Sequence, residues 1–224
     1  MSRSAPCRLG QVAALGIGLF AHDPARAQQI EVAAAGIVAF PRSSLLLAGE
    51  RETIAGTWLG GAITLHVGRV LLSGAGLRGN LVPVENTRAL ERDAGEVGGL
   101  IRFAPTGWLG LEATYTVRAF NSAAGYQRWE MLGGGFFLSG ALGNPAVRAY
   151  ARGSYLPSIS VTGLPSPNGL AAEVGIEATL RRAPLALGLL YRFERYDFPG
   201  GAATRLEEFE RIAVQVGYRL KRPP

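Results

Sequence analysis

The segment Arg211 to Leu220, RIAVQVGYRL, constrains the fold of this chain most tightly, because its apolar and polar residues alternate one by one. Ile212, Val214, Val216, Tyr218 and Leu220 share one parity, and Arg211, Ala213, Gln215, Gly217 and Arg219 share the other. Successive side chains of a β-strand point to opposite faces, so a period of two specifies a strand between two different surroundings. The pattern recurs upstream. Leu109, Leu111, Ala113, Tyr115 and Val117 alternate with Gly110, Glu112, Thr114, Thr116 and Arg118. Ala172, Val174, Ile176, Ala178 and Leu180 alternate with Glu173, Gly175, Glu177, Thr179 and Arg181. Leu185 to Glu194 repeats it, with Leu187, Leu189, Tyr191 and Phe193 opposite Gly188, Arg192 and Glu194.

Extending this reading gives ten strands, with eight as the alternative. They run approximately over 30–40, 53–67, 69–80, 95–104, 108–120, 128–142, 147–156, 170–181, 185–196 and 207–220. Many offer the roughly 9–11 residues that a tilted strand needs to cross a bilayer. The links alternate between longer polar segments, beginning with Pro41 to Glu52 and Leu81 to Ala94, and tight ones such as Pro105-Thr106-Gly107 and Gly143-Asn144-Pro145. Long and short links in strict alternation fit an up-and-down barrel with short turns on one rim and longer loops on the other. Gly133-Gly134-Gly135 interrupts the sixth strand and predicts a bulge or kink. The uncharged run Met131 to Val147 is a poor transmembrane helix, since it would have to absorb five glycines and Pro145.

At the amino end, Arg3 and Arg8 precede an apolar stretch from Val12 to Ala21 and the sequence Ala25-Arg26-Ala27. A basic start, a short apolar core and a small-x-small ending predict a secretory signal peptide over 1–27, leaving 28–224 as one domain. Cys7 lies before the apolar core, which argues against a lipoprotein and leaves the mature part without a thiol or disulfide. Removing 1–27 takes Lys plus Arg from 23 to 20 and Asp plus Glu from 17 to 16, so the net charge falls to +4. With scattered basic residues, that is too mild for a nucleic-acid binder.

The ending Tyr218-Arg219-Leu220 resembles the closing strand of bacterial outer-membrane β-barrels, which finish with an aromatic residue, a polar one and a terminal Phe. Here Leu220 replaces the final aromatic and Lys221-Arg222-Pro223-Pro224 follows it. The resemblance is to the broad class of small outer-membrane barrels, porin-like in general form. It implies an all-β, up-and-down antiparallel transmembrane barrel in the outer membrane, contacts with outer-membrane lipid, and engagement of the barrel-assembly machinery through the last strand.

In that topology Glu96, Arg102, Glu112, Arg118, Arg148, Arg152, Glu173, Glu177, Arg181, Arg192, Glu194, Arg211 and Arg219 face the lumen. Charges in a narrow lumen must pair, because an unpaired one costs several kcal/mol, so the expectation is a ladder of Arg–Glu pairs filling the barrel, or a thin anion-favouring pore. Phe103, Trp108 and Tyr218 are expected as one belt of membrane-interface aromatics, and Phe120, Tyr126, Trp129, Tyr196 and Phe198 as the other. Gly74, Gly76 and Gly79 form a G-x-G-x-x-G string, but Asn80-Leu81-Val82-Pro83 follows where a nucleotide fold needs a helix. His66 is the sole histidine left after leader removal, so no metal or cofactor site is expected. No nucleophile and base come together in the sequence. The leading expectation is therefore a non-enzymatic membrane barrel, structural, adhesive or a narrow channel. An outer-membrane lipid-modifying or proteolytic enzyme and a soluble exported barrel binding an apolar ligand are the alternatives.

Overall fold

The computed structural model of the chain describes residues 30–84, 89–180, 182–199 and 205–221. The expected signal peptide, Arg88 of one expected loop and the expected lumen residue Arg181 lie outside the described residues. Ten strands are formed: β1 (Ile30–Leu47), β2 (Glu50–Val67), β3 (Val70–Pro83), β4 (Arg92–Phe103), β5 (Leu109–Ser122), β6 (Gly125–Leu142), β7 (Asn144–Val161), β8 (Asn168–Thr179), β9 (Leu185–Phe198) and β10 (Arg205–Lys221). Each pairs antiparallel with its sequence neighbours and β10 pairs with β1, closing an up-and-down barrel. Among the described residues there is no helix, and Met131 to Val147 is β6, a turn and the start of β7.

The register fixes the barrel's shape. Following paired residues around from Ser43 passes Phe209, Glu194, Ala171, Ser154, Gly135, Glu112, Arg102, Leu71 and His66 and returns to β1 at Glu31, a shear of 43 minus 31, or 12 residues. Such a shear over ten strands tilts them by about 40°. Both described chain ends, Ile30 and Lys221, lie at one rim, here called the terminal rim.

The outer wall is apolar. Val97 and Ile63 are each 66% exposed, and Leu59, Leu111, Val174, Leu189, Val214 and Val216 all point outward into open space. Above this band the outward face of every strand turns polar, at Arg42, Thr57, Asn80, Asp93, Asn121, Glu130, Ser158, Asn168, Arg195 and Glu210, with Arg78 on β3 one outward position lower. On β9 five apolar outward positions, Leu185 to Phe193, precede Arg195. At a rise of ~3.3 Å per residue and the tilt above, that band spans about 20 Å, close to the ~25 Å apolar belt of a membrane barrel.

The strands continue past this ring of polar residues into water, which corrects the expected loop pattern. Pro41 to Glu52 is not a loop but the distal ends of β1 and β2, joined by a two-residue turn at Ala48 and Gly49 with φ of 53° and 88°. Positive φ at both central residues is the type I′ geometry that matches the twist of two strands. Likewise β5 and β6 continue to Ser122 and Gly125. The residues turn polar there because the outer surroundings change from apolar to aqueous, not because the strand ends.

In β6 the register slips between Leu132 and Gly134, where Leu156 and Pro157 of β7 oppose Gly133. The bulge falls where proline's missing N–H interrupts no ladder bond.

Candidate functional site

Inside the barrel, a single chain of alternating charges runs from wall to wall. Arg211 Nη1 on β10 lies 2.7 Å from Glu96 Oε1 on β4. Glu96 Oε2 is 2.6 Å from Arg118 Nη2 on β5, and that nitrogen is 2.7 Å from Glu194 Oε2 on β9. Arg192 Nε donates to Glu194 Oε1 at 2.6 Å and its Nη1 is 3.7 Å from Glu173 Oε2 on β8. Arg152 Nη2 on β7 lies 2.9 Å from Glu173 Oε1, its Nη1 is 3.6 Å from Glu112 Oε2 on β5, and Glu112 Oε1 is 2.5 Å from Arg102 Nη2 on β4. Nine charges, five Arg and four Glu, thus form one lattice that crosses the lumen from β10 to β4 and from β5 to β9. Arg118 is 2% exposed and Glu194 1%, so these are desolvated pairs whose worth depends on complete pairing.

The hydroxyls and rings complete it. Tyr196 donates to Glu194 Oε2 at 2.6 Å, and Tyr150 donates to Glu173 Oε1 at 3.2 Å. The Arg118 guanidinium sits 3.8 Å from the Phe209 ring centroid and Arg102 3.4 Å from that of Phe137, which satisfies the cationic faces that carboxylates do not cover. The weakest joint is between Arg152 and Glu112, where Arg152 Nε and Glu112 Oε2 are buried without hydrogen-bond partners.

Arg219 pairs with Glu177, and Arg148 Nη2 donates to Ser139 Oγ and the Gly107 carbonyl; these three charged residues stand inside the terminal rim, more exposed than the lattice. His66 also faces inward at that rim, opposite Glu31 and Leu71. Gly74, Gly76 and Gly79 lie within β3, and Asn80 to Pro83 continue the same strand. Gly79 has a packing role: a Cβ there would come within 2.7 Å of Trp58 Cδ1.

Four of the expected interface aromatics face the other way. Phe103, Trp108, Tyr126 and Tyr218 are exposed. Phe120, Trp129 and Tyr196 are buried inside, 6%, 2% and 1% exposed, and Phe198 points inward beside them. Phe120 follows Arg118 by two, and Tyr196 and Phe198 follow Glu194 by two and four, so these three share the parity of the lumen charges on their own strands and cannot face lipid; Trp129 faces inward between Arg128 and Glu130, which stand on the outer wall. With Trp58, Phe209, Leu81 and Met131 they form an aromatic lid over the distal side of the lattice. Trp129 packs 4.9 Å from Tyr196 and 5.8 Å from Phe198, and Trp58 5.6 Å from Phe209, in tilted or edge-on geometry. Neither buried indole N–H finds an acceptor, so packing holds the two tryptophans, while the Tyr196 hydroxyl ties the lid to Glu194.

Above the lid the distal mouth holds a cleft of about 290 Å³. Ile54 and Phe120 line its floor, and Glu52, Arg92, Arg205, Glu207, Ser43 and Ser122 stand around it. Arg205 and Glu207 pair at 2.5 Å. Among the described residues Glu52 and Arg92 make no ion pair, and the Arg92 guanidinium lies 5.9 Å from the Phe120 centroid. Glu52 and Arg92 stand in segments expected as loops, yet Glu52 shares the parity of Ile54 and Trp58, and Arg92 that of Glu96.

A closed antiparallel barrel with an apolar outer band, a polar ring above it and a charged interior has the architecture of a transmembrane β-barrel. The solved structures it resembles are bacterial outer-membrane β-barrel proteins. They include the outer membrane protease OmpT from Escherichia coli, at 11% identity over 86% of this chain and 97% of that chain with a TM-score of 0.49. The translocator domain of the autotransporter NalP from Neisseria meningitidis gives 12% identity over 88% and 90%, with a TM-score of 0.47. An anion-selective porin from Comamonas acidovorans gives 12% identity over 76% of this chain and 55% of that one, with a TM-score of 0.33. No protein-family model and no curated protein matches the sequence.

Proposed function

We propose that this chain is a non-enzymatic integral protein of the bacterial outer membrane whose lumen is sealed, and which presents its distal mouth to the exterior instead of conducting solute. The terminal rim is then periplasmic. The observation that carries this is the stacking of two seals. Arg118 and Glu194 bridge opposite walls at 2.7 Å, and Trp58, Trp129 and Tyr196 lie at most 2% exposed directly above them. An ion path would have to break desolvated charge pairs, at about 3–5 kcal/mol each, and then part packed rings held by about 0.5–1.5 kcal/mol per pair beyond their burial.

Planar-bilayer recording tests it. The wild-type barrel is expected to hold a silent baseline under ordinary voltage, and Trp58→Ala combined with Trp129→Ala is expected to introduce flickering conductance. Steady, porin-sized single-channel steps from the wild type would overturn the sealed lumen.

A further inference from the structure

We infer that the distal mouth binds a small zwitterion with an apolar midsection, its ammonium group on Glu52, its carboxylate on Arg92 and its apolar part on Ile54 and Phe120. The inference rests on reading that rim as the external, presenting one.

Among the described residues four charged side chains line the cleft, and two of them, Arg205 and Glu207, neutralise each other at 2.5 Å. The remaining two, Glu52 on β2 and Arg92 on β4, are opposite in sign, both half-buried, and share no ion pair although they line the same cleft. Among the described residues the mouth offers one unpaired cation and one unpaired anion, so a ligand that carries both charges gains two charge-assisted contacts where a simple ion of either sign gains one. Arg92 is held over the floor by the Phe120 ring, so little ordering is needed when a carboxylate arrives. The floor itself is apolar, which favours a hydrocarbon segment between the two charged ends. A volume of about 290 Å³ sits at the lower end of ligand pockets, the range of a dipeptide or similar molecule.

The probe is the dipeptide leucyl-glycine with free ends, titrated calorimetrically into the full chain folded in detergent micelles, with folding confirmed by a heat-dependent gel shift. The comparators are its N-acetyl form, its C-terminal amide, and phosphoethanolamine, which carries both charges without the apolar segment. Saturable binding of the free dipeptide is expected, with each comparator weaker by about tenfold or more, as the loss of one charge-assisted hydrogen bond or of the floor contact implies. In Glu52→Gln the free and N-acetyl forms should bind alike, and in Arg92→Met the free and amidated forms should, which assigns each charge to its partner. Equal binding of blocked and free forms to the wild type, equal binding of phosphoethanolamine, or no saturable binding to a folded barrel would each overturn the inference. Conductance reads the other reading separately. A conducting barrel that binds the dipeptide sinks only the sealed lumen, and a silent barrel that ignores it sinks only the mouth site.

Discussion

Glu194 is the residue on which the interior turns, since Arg118, Arg192 and Tyr196 all donate to its two oxygens at 2.6 to 2.7 Å. Replacing it with Gln leaves two guanidinium groups short of a counter-charge in a dry lumen, and breaking buried pairs this way costs about 3–5 kcal/mol. Glu130→Gln removes the partner of Arg128 on the outer wall, where the two side chains are 42% and 47% exposed, and its effect should stay within about 1 kcal/mol. Urea unfolding of both variants in micelles checks the contrast, and similar midpoints for the two would refute the lattice as a stabilising element. The charged positions were legible in the sequence because their parity opposes that of Val, Ile and Leu on the same strands. Phe120, Tyr196 and Phe198 are legible by the same parity, which they share with Arg118 and Glu194, whereas nearness to a strand end is common to lid rings and interface rings alike. Trp129 is not legible, because the only charges on β6, Arg128 and Glu130, flank it on the outer wall. Pairing partners such as Glu96 with Arg211 were not legible, because they join strands remote in sequence across the lumen.

At the scale of the strand, facing decides the effect of a substitution. Val174→Arg puts a guanidinium at the middle of the apolar band, where such changes cost about 2–4 kcal/mol, whereas Ser158→Arg at the polar ring should cost about 0–1 kcal/mol. Folding yield into lipid vesicles, read by the heat-dependent gel shift, is expected to fall for the first and hold for the second. The reverse order would mean that apolar faces point inward. Gly79→Leu belongs to this scale too: its Cβ would meet both the Trp58 ring, at 2.7 Å, and the Thr57 carbonyl, at 2.0 Å, so β2 and β3 must part locally. Overpacking of this kind costs about 1–3 kcal/mol, and the thermal midpoint of the gel shift should drop accordingly. Strand number and the bulge at Gly133 could be read ahead of the structure; strand length could not. Polarity marks where a strand leaves the bilayer, and β1, β2, β5 and β6 continue as paired strands beyond that height.

For the whole molecule, the lattice ties together parts of the chain that are made at different times. Glu96 and Arg118 lie on β4 and β5, while Glu194 and Arg211 come from the last two strands. Until those strands arrive, Glu96 and Arg118 lack Arg211 and Glu194 and face an open, hydrated sheet. Pairing of β10 with β1 removes both sheet edges and, in the same event, completes the lattice. A chain cut short before β10 keeps two free edges, and limited proteolysis in micelles is expected to digest it under conditions that the closed barrel survives.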